Sequence, residues 1–206
     1  MSDKHTICLL NDSFPPVIDG VANAVTNYAD IIHRDLGEAT VVTPYYPDAD
    51  DSAYPFPVVR YPSLDMTKLV GYRAGMPFSS KVFQQLETSG FEIIHSHCPV
   101  TSTVLARALR ERIHVPVVFT YHTKFDIDIA NAVRSQLLRQ GAARALVENI
   151  SACDEVWVVS RGAGENLRKL GYQGDYVVMP NGVDFPRGRV DESLIAQVTE
   201  GYDLPR

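Results

Sequence analysis

Seven short apolar runs, separated by longer stretches of helical periodicity, constrain what this chain can fold into more than any other feature. The runs are continuously apolar and do not alternate with polar residues, which is typical of strands buried on both faces. They occupy residues 6–11, 40–44, 57–61, 92–97, 116–122, 155–160 and 176–181. Between them the periodicity predicts helices at about 21–36, 79–88, 100–113, 129–152 and 161–170.

Repeated strand–helix–strand units predict a parallel sheet, because the crossovers between its strands are short and right-handed. We therefore expect an α/β fold: a Rossmann-like, doubly wound, mainly parallel sheet of about seven strands with helices on both faces. Gly37 marks a helix stop, Ser160 is an N-cap candidate for the last predicted helix, and Gly171 follows that helix. In such sheets ligands bind beyond the carboxyl ends of the strands.

Composition excludes several classes of protein. With 206 residues and 45% apolar content, the chain is long enough for one well-buried domain and a small appendage. The net charge is −6 and no long basic run occurs, which argues against nucleic-acid binding. Three dispersed cysteines without a C-x-x-C pair favour a reducing compartment, with the cytoplasm as the expected location. We also find no signal-peptide core and no run long enough to span a membrane.

The first candidate site is the join "SFPPVIDGVANAV", residues 13–25, between the first strand and the first helix. A helix start carries unpaired N–H groups and a partial positive charge, which suits a phosphate. Gly20, just before Val21, would let a ligand approach the backbone closely. The same glycine could serve only to allow the turn. The G-x-G-x-x-G fingerprint is absent, which disfavours a dinucleotide site.

Two further strand ends carry histidines. His95 and His97 in "HSHCP" lie on one face of a strand, where Cys98 or His122 could complete a metal site. No acidic cluster accompanies them, so we predict no metal and a structural hydrogen-bonding role for one of the pair, with His97 the better ligand contact. The segment "TYHTKFD" ends the next strand, so we expect it at the same edge of the sheet, the rim, as Gly20 and His97. There His122 would titrate near neutrality, and Lys124 could neutralise a phosphate. An ordinary polar loop is the alternative.

Five motifs together carry a resemblance. "FPPVIDGVANAV", "IIHSHCP", "FTYHTKFD", "VWVVSRGAGENLRKLG" and "VVMPNGVD" occur here in one order, from about residue 5 to about residue 190. In that order and spacing the chain resembles the N-terminal, acceptor-side half of retaining family 4 glycosyltransferases, which have the two-domain GT-B fold. It looks most similar to the branch acting on diacylglycerol and related lipid acceptors.

The resemblance implies transfer of a sugar from a nucleotide-diphosphate donor to an acceptor hydroxyl with retention, without metal or other cofactor. It implies catalytic roles for His122 and Asp126 and donor-phosphate binding by Gly20 and Val21. No residue of this half is an obvious nucleophile, and Asp126 and Asp128 are interpreted as loop acids that position a hydroxyl. The remaining residues implied in substrate or acceptor binding are Asp19, Asn23, Tyr72, Arg73, His97, Tyr121, Lys124, Ser160, Arg161 and Asn181.

The resemblance also divides the chain into a Rossmann-like domain at 1–180 and, at 181–206, a hinge leading into a missing donor-binding domain. Glu192 and Glu200 reproduce the E-x7-E spacing of that domain, but the surrounding strand and glycines are absent, so we reject the match. The chain alone is then expected to have little transferase activity.

Two other functions stay open: a sugar-nucleotide epimerase of the same architecture, and a non-catalytic module that binds an acceptor or a partner protein. Arg134, Arg139 and Arg144 lie on the predicted helix at 129–152, and we expect at most weak peripheral contact with the inner face of a membrane.

Overall fold

The computed structural model describes residues 4–67, 73–122, 125, 129, 135–182 and 190–200. The strands in this part of the chain are β1 (His5–Leu10), β2 (Gly37–Pro44), β3 (Val58–Tyr61), β4 (Ser63–Asp65), β5 (Arg73–Gly75), β6 (Ile93–Ser96), β7 (Val117–Tyr121), β8 (Glu155–Val158) and β9 (Val177–Val178). Seven of them form one sheet in the order β3-β2-β1-β6-β7-β8-β9, and every neighbouring pair is parallel. The predicted seven-stranded, Rossmann-like α/β sheet is confirmed.

Within the described ranges, five helices fall between the strands as the periodicity predicts, and a sixth follows the last strand. They are α1 (Gly20–Ile31), α2 (Ser80–Glu87), α3 (Thr101–Ile113), α4 (Gln136–Ser151), α5 (Arg161–Lys169) and α6 (Glu192–Thr199). A π-helical turn, Ile32–Leu36, extends α1. The first part of the predicted 129–152 helix, residues 130–134, lies outside the described residues.

Burial on both sides of the sheet explains the continuous apolar runs. Along β1, Cys8 and Leu10 pack into a core cluster with Leu105 of α3, whereas Leu9 packs into a second cluster with Val25 of α1. Successive side chains of a strand point to opposite faces, so both faces of β1 must be apolar once helices cover both. Each fully buried leucine contributes roughly 1.5–3 kcal/mol to this core.

The predicted helix ends are also confirmed. Gly37 ends the turn after α1 with φ 156°, and a Cβ there would collide with the backbone oxygen of His5 on the neighbouring strand. Ser160 caps α5, since its hydroxyl accepts a hydrogen bond from the Ala163 N–H at 3.1 Å. Gly171 follows that helix with φ 112°, a conformation that favours glycine.

The segment at 44–78, rich in proline and tyrosine, contains two strands that the apolar runs do not predict. Besides β3, it contributes β4 and β5, which pair antiparallel with Ser63 opposite Gly75 and Asp65 opposite Arg73. Each strand has only three residues, too few for a recognisable pattern of alternation.

The strand order places a topological switch point between β1 and β6. From β1 the chain builds outward through β2 and β3, and then returns to lay β6 on the other side of β1. A crevice opens at such a point beyond the carboxyl ends of the strands, and it is where ligands bind in doubly wound sheets. The segments after β1 and β6 are those that carry Gly20 and His97.

Candidate functional site

The predicted site residues at three strand ends lie close together. After β6, the His97 backbone N–H bonds to the Leu10 carbonyl of β1 at 2.8 Å. After β7, Nε2 of His122 lies 2.9 Å from Nδ1 of His97. The charge of Asp19, at the start of α1, acts on His122. The glycine turn and the two histidines therefore occupy one rim beside the switch point.

At this rim α1 begins with a carboxylate cap. Asp19 has extended backbone angles, and its Oδ1 accepts hydrogen bonds from the N–H groups of Val21 at 2.8 Å and Ala22 at 2.7 Å. Gly20 is exposed, and a Cβ built on it would meet no atom within 4 Å. The open space predicted beside Gly20 is present, but the Val21 N–H is already bonded to Asp19. A phosphate could reach that amide only by displacing this carboxylate.

The histidines form a stack of three imidazoles. The rings of His95 and His97 have centroids 4.0 Å apart, and those of His97 and His122 are 5.2 Å apart. Nε2 of His95 lies 2.7 Å from the Thr120 hydroxyl, and both residues are buried. His95 therefore has the structural hydrogen-bonding role that the sequence predicts for one of the pair.

Burial keeps all three imidazoles neutral near pH 7. Desolvation lowers the pKa of His95 to about 3, with a smaller contribution from His122. Desolvation, and then the neighbouring histidines, lower the pKa of His97 well below its usual range. Desolvation lowers the pKa of His122 to about 4, opposed by the Asp19 carboxylate. The expectation that His122 titrates near neutrality is therefore wrong. The residues around His122 in the sequence do not indicate that its ring is buried. A neutral imidazole here can orient a hydroxyl by hydrogen bonding.

Two predicted substrate residues are committed to internal contacts. Tyr121 is fully buried in the core, where its hydroxyl lies 2.7 Å from Asn166 Oδ1 and accepts the Phe125 N–H. The Arg73 guanidinium donates to the Tyr45 carbonyl and to Ser63, which fixes the β4–β5 hairpin. A substrate contact through either side chain would have to break these bonds.

The other predicted residues divide between exposed positions and positions outside the described chain. Asn23 on α1, Arg161 at the start of α5 and Asn181 after β9 are all exposed. Ser160 is exposed but serves as the cap of α5. The remaining predicted residues, Tyr72, Lys124 and Asp126, lie outside the described residues, as does the loop acid Asp128.

Sequence reasoning missed Asp12, which follows β1 in "NDS". Its carboxylate accepts hydrogen bonds from the N–H groups of Thr101 at 3.0 Å and Ser102 at 2.8 Å, and from the Ser102 hydroxyl at 2.6 Å. It therefore caps α3 across a separation of about 90 residues in the chain. Burial raises the pKa of Asp12 above its usual range, although hydrogen bonds from Cys98, Ser102 and Thr101 oppose this shift. The only feature of the local sequence that indicates this role is a single acidic residue directly after a strand.

A second missed residue, Arg60, holds the proline turn in place. Its guanidinium forms an ion pair with Asp51 at 2.7 Å and donates to the carbonyls of Pro15 at 2.7 Å and Pro44 at 3.0 Å. The turn includes a cis peptide bond between Pro15 and Pro16. The position of the chain leading to Gly20 is thus fixed from β3 as well as from α3.

Two observations, on metal ligands and on a cavity, define the extent of the site. Among the residues that the structure describes, no group of three or more His, Cys, Asp or Glu side chains is arranged to hold a metal ion. A cavity of about 570 Å³ lies elsewhere, between β3 and α2, and is lined in part by Arg60, Ser63 and Lys81. We place the functional site at the rim and not in this cavity, because the switch point and the polar strand ends are at the rim.

The profile of Glycosyltransferase Family 4 matches residues 18–187. The chain belongs to this family. An alpha-monoglucosyldiacylglycerol synthase of Acholeplasma laidlawii is 23% identical over 187 residues, which cover 86% of this chain and 46% of the relative. The synthase of the same name from Streptococcus pneumoniae (strain ATCC BAA-255 / R6) is 21% identical over 183 residues, 88% of this chain and 41% of the relative.

Among solved structures, the family 4 chain is similar in fold to the catalytic domain of Starch Synthase IV from Arabidopsis thaliana, bound to ADP and acarbose. The TM-score is 0.50 at 13% identity, over 88% of this chain and 52% of the starch synthase chain. The chain spans less than half the length of the two diacylglycerol synthases that it matches. No helix among its described residues is long and apolar enough to cross a membrane.

Proposed function

We propose that this chain is the acceptor-side half of a glycosyltransferase that moves a sugar from a nucleotide-diphosphate donor to a hydroxyl group with retention of configuration. The observation that carries the proposal is the meeting of the open Gly20 turn and the His97–His122 pair at the switch point of a family 4 chain. A donor needs a site for its diphosphate and hydrogen bonds for its sugar. The rim offers a helix start for the first and a neutral imidazole for the second.

In this proposal the diphosphate approaches the N-terminus of α1 at Gly20. The helix dipole would stabilise the charge that develops on the departing phosphate, as would the Val21 and Ala22 N–H groups once the phosphate displaces the Asp19 carboxylate from them. His122, with Asp126 as a second candidate, would orient the reacting sugar. Residues Asn23 and Arg161 are exposed and remain candidates for substrate contact. We propose no metal and no further cofactor.

We further propose that activity requires a second Rossmann-like domain that binds most of the donor, with the hinge starting near Asn181. The chain covers 46% and 41% of its two diacylglycerol-glycosylating relatives, which leaves ample length in them for such a domain. Residues 181–206 would then connect the two halves.

The acceptor that we propose is a lipid hydroxyl, presented at the inner face of a membrane. The names of the two relatives support this choice, since both are diacylglycerol glucosyl synthases. Large apolar side chains are also exposed in loops that follow the strands, among them Ile18 and Val100. The three free cysteines support a cytoplasmic location.

The test is transfer of radiolabelled sugar from a panel of UDP-sugars to diacylglycerol in mixed vesicles. We expect no transfer by this chain alone, and lipid-linked label when it is joined to a family 4 donor-binding domain. His122→Ala removes a hydrogen bond to the sugar and should then reduce turnover about 100-fold, with the circular dichroism spectrum unchanged. Unchanged turnover would remove His122 from the site. Conversion of the UDP-sugar without any acceptor would instead indicate an epimerase.

A further inference from the structure

His97 is sealed inside the protein with one of its two ring nitrogens unsatisfied. Its side chain is 1% exposed, and Tyr28 and His95 pack against the ring at centroid distances of 5.4 and 4.0 Å. Nδ1 lies 2.9 Å from Nε2 of His122. Nε2 of His97 has no accessible surface and no hydrogen-bond partner among the described residues.

This arrangement decides which nitrogen donates in the His97–His122 bond. A neutral imidazole has one N–H and one lone pair, so two arrangements are available. If Nδ1 of His97 accepted, the proton of His97 would sit on Nε2 as a buried N–H with no acceptor. If Nδ1 donates, Nε2 carries only a lone pair. Orphaned buried N–H groups are rarer than under-satisfied acceptors, so donation by Nδ1 of His97 is the favoured arrangement.

We propose that His97 is a positioning residue that holds His122 as its Nδ1–H tautomer. With Nε2 of His122 accepting from His97, the single proton of His122 must lie on Nδ1. That nitrogen has no hydrogen-bond partner in the described part of the chain, and His122 is only half-buried. The buried histidine thus sets the hydrogen-bonding character of the one that reaches the rim.

The consequence for recognition is specific. His122 offers a ligand one N–H donor and no lone pair, so it binds an oxygen acceptor, such as a sugar hydroxyl oxygen, and does not serve as a general base through Nδ1. The nearby Asp19 carboxylate, whose negative charge acts on His122, favours a donor on this ring. This consequence for sugar transfer rests on the proposed function, whereas the tautomer itself does not.

The experiment is a long-range ¹H–¹⁵N correlation spectrum of the ¹⁵N-histidine-labelled chain at pH 7, which distinguishes Nδ1–H from Nε2–H rings. The chain has six histidines, and His122→Gln assigns the signals of His122 by their loss. We expect the Nδ1–H pattern for His122. An Nε2–H pattern in the unmodified chain overturns the proposal without any variant.

Two variants of His97 separate positioning from packing. In His97→Asn, the amide Nδ2 takes the place of Nδ1 and can still donate, so His122 should keep the Nδ1–H pattern. In His97→Leu, the donor is gone, and His122 should change towards the Nε2–H tautomer that free histidine prefers. His122 unchanged in His97→Leu, or shifted equally in both variants, contradicts the proposal.

His95→Gln is the matched control, because it alters a histidine of the same stack whose Nε2 bonds to Thr120 and not to His122. It should leave the His122 pattern unchanged. If His97→Leu does not fold, His97→Phe, which also lacks the donor, takes its place and should shift His122 in the same way. Since the spectra need no donor or acceptor, a lack of sugar transfer by the chain joined to a donor-binding domain, with the Nδ1–H tautomer present, would reject the proposed function alone.

Discussion

Asp19 both caps α1 and places a negative charge where a donor phosphate would bind. Its Oδ1 accepts from the Val21 and Ala22 N–H groups, so it neutralises part of the positive end of the helix. The helix start is therefore stable without a ligand, and it is weaker as an anion site than the bare turn in the sequence indicates. The two effects can be separated, because asparagine keeps the cap and removes the charge.

We expect Asp19→Asn to increase the affinity of the chain for inorganic pyrophosphate about fivefold, since a charge near a helix terminus is worth about 1 kcal/mol. Asparagine caps helices as well as aspartate does, so the free energy of unfolding should change by only a few tenths of a kcal/mol. Isothermal titration calorimetry measures the first quantity and urea denaturation the second. Asp30→Asn, in the last turn of α1, is the control and should leave pyrophosphate binding unchanged. Equal affinities in the two variants would argue against an anion site at Gly20.

The buried histidines make the protein sensitive to mild acid. The pKa of His95 in the folded state is about 3, whereas an unfolded histidine titrates near pH 6.5. Between these values the unfolded chain binds more protons than the folded one, so the free energy of unfolding falls as the pH falls. The loss begins below about pH 6.5 and reaches up to about 1.4 kcal/mol per pH unit for each such histidine.

His95→Gln should reduce this dependence, because the glutamine amide can replace Nε2 in the bond to Thr120 and does not titrate. Urea denaturation at pH 7.5, 6.0 and 5.0, as working conditions, should show a smaller loss of stability in the variant than in the unmodified chain. His5→Gln is a control at an exposed ion pair with Glu92. The idea fails if the two variants show the same pH dependence.

At the scale of elements, Arg60 connects β3 to the turn that precedes α1. Its side chain is 8% exposed and its partner Asp51 is 30% exposed, so the ion pair is largely shielded from water. Removing one member of a buried pair leaves an uncompensated charge, which costs about 3 kcal/mol. We expect Arg60→Met to lower the free energy of unfolding by about that amount.

The loss in Arg60→Met should be accompanied by faster proteolysis of the 11–19 loop, which loses its anchor at the Pro15 carbonyl. Limited proteolysis with mass spectrometry detects the cut. Arg112→Met breaks an ion pair with Glu87 in which the arginine is 67% exposed, and it should change stability by about 0.5 kcal/mol or less. Similar destabilisation in the two variants would show that shielding of the Arg60 pair is unimportant.

Helix α4 begins with two apolar residues, Leu137 and Leu138, whose exposed fractions are 77% and 64%. Arg139 and Arg144 follow on the same helix. We expect weak, salt-sensitive binding to anionic vesicles. Changing both leucines to serine should weaken it about tenfold or more, because an inserted leucine gains up to about 2 kcal/mol. Vesicle co-sedimentation at 50 and 500 mM salt, as working conditions, measures this.

Helix α6 supplies the matched control for α4. Leu194 and Ile195 are 51% and 49% exposed, but the described part of α6 carries no basic residue. Changing both to serine should leave vesicle binding unchanged. Tight binding that persists at high salt, or an equal loss from the α6 variant, would contradict a contact through α4.

At the scale of the whole molecule, the sheet was predictable and the contacts that fix the site were not. Apolar runs such as 40–44 report burial on both faces directly, because covering helices require it at every position. The hydrogen bonds of Asp12 join residues about 90 positions apart, and Arg60 reaches Pro15 across 45 positions, so neither partner is visible locally. The pKa of His122 was mispredicted for the same reason, since burial lowers it and His97, which packs against the ring, is 25 positions away in the chain.

The position of β1 has a consequence for how the protein is made. It is the first of the nine described strands along the chain, and it lies in the interior of the sheet, between β2 and β6. During translation more than 80 further residues must be made before β6, the second neighbour of β1, is present. Until then one edge of β1 has no strand to pair with. Ribosome-bound nascent chains ending at residue 90 should therefore be degraded by protease within their first ten residues, and chains ending at residue 180 should resist.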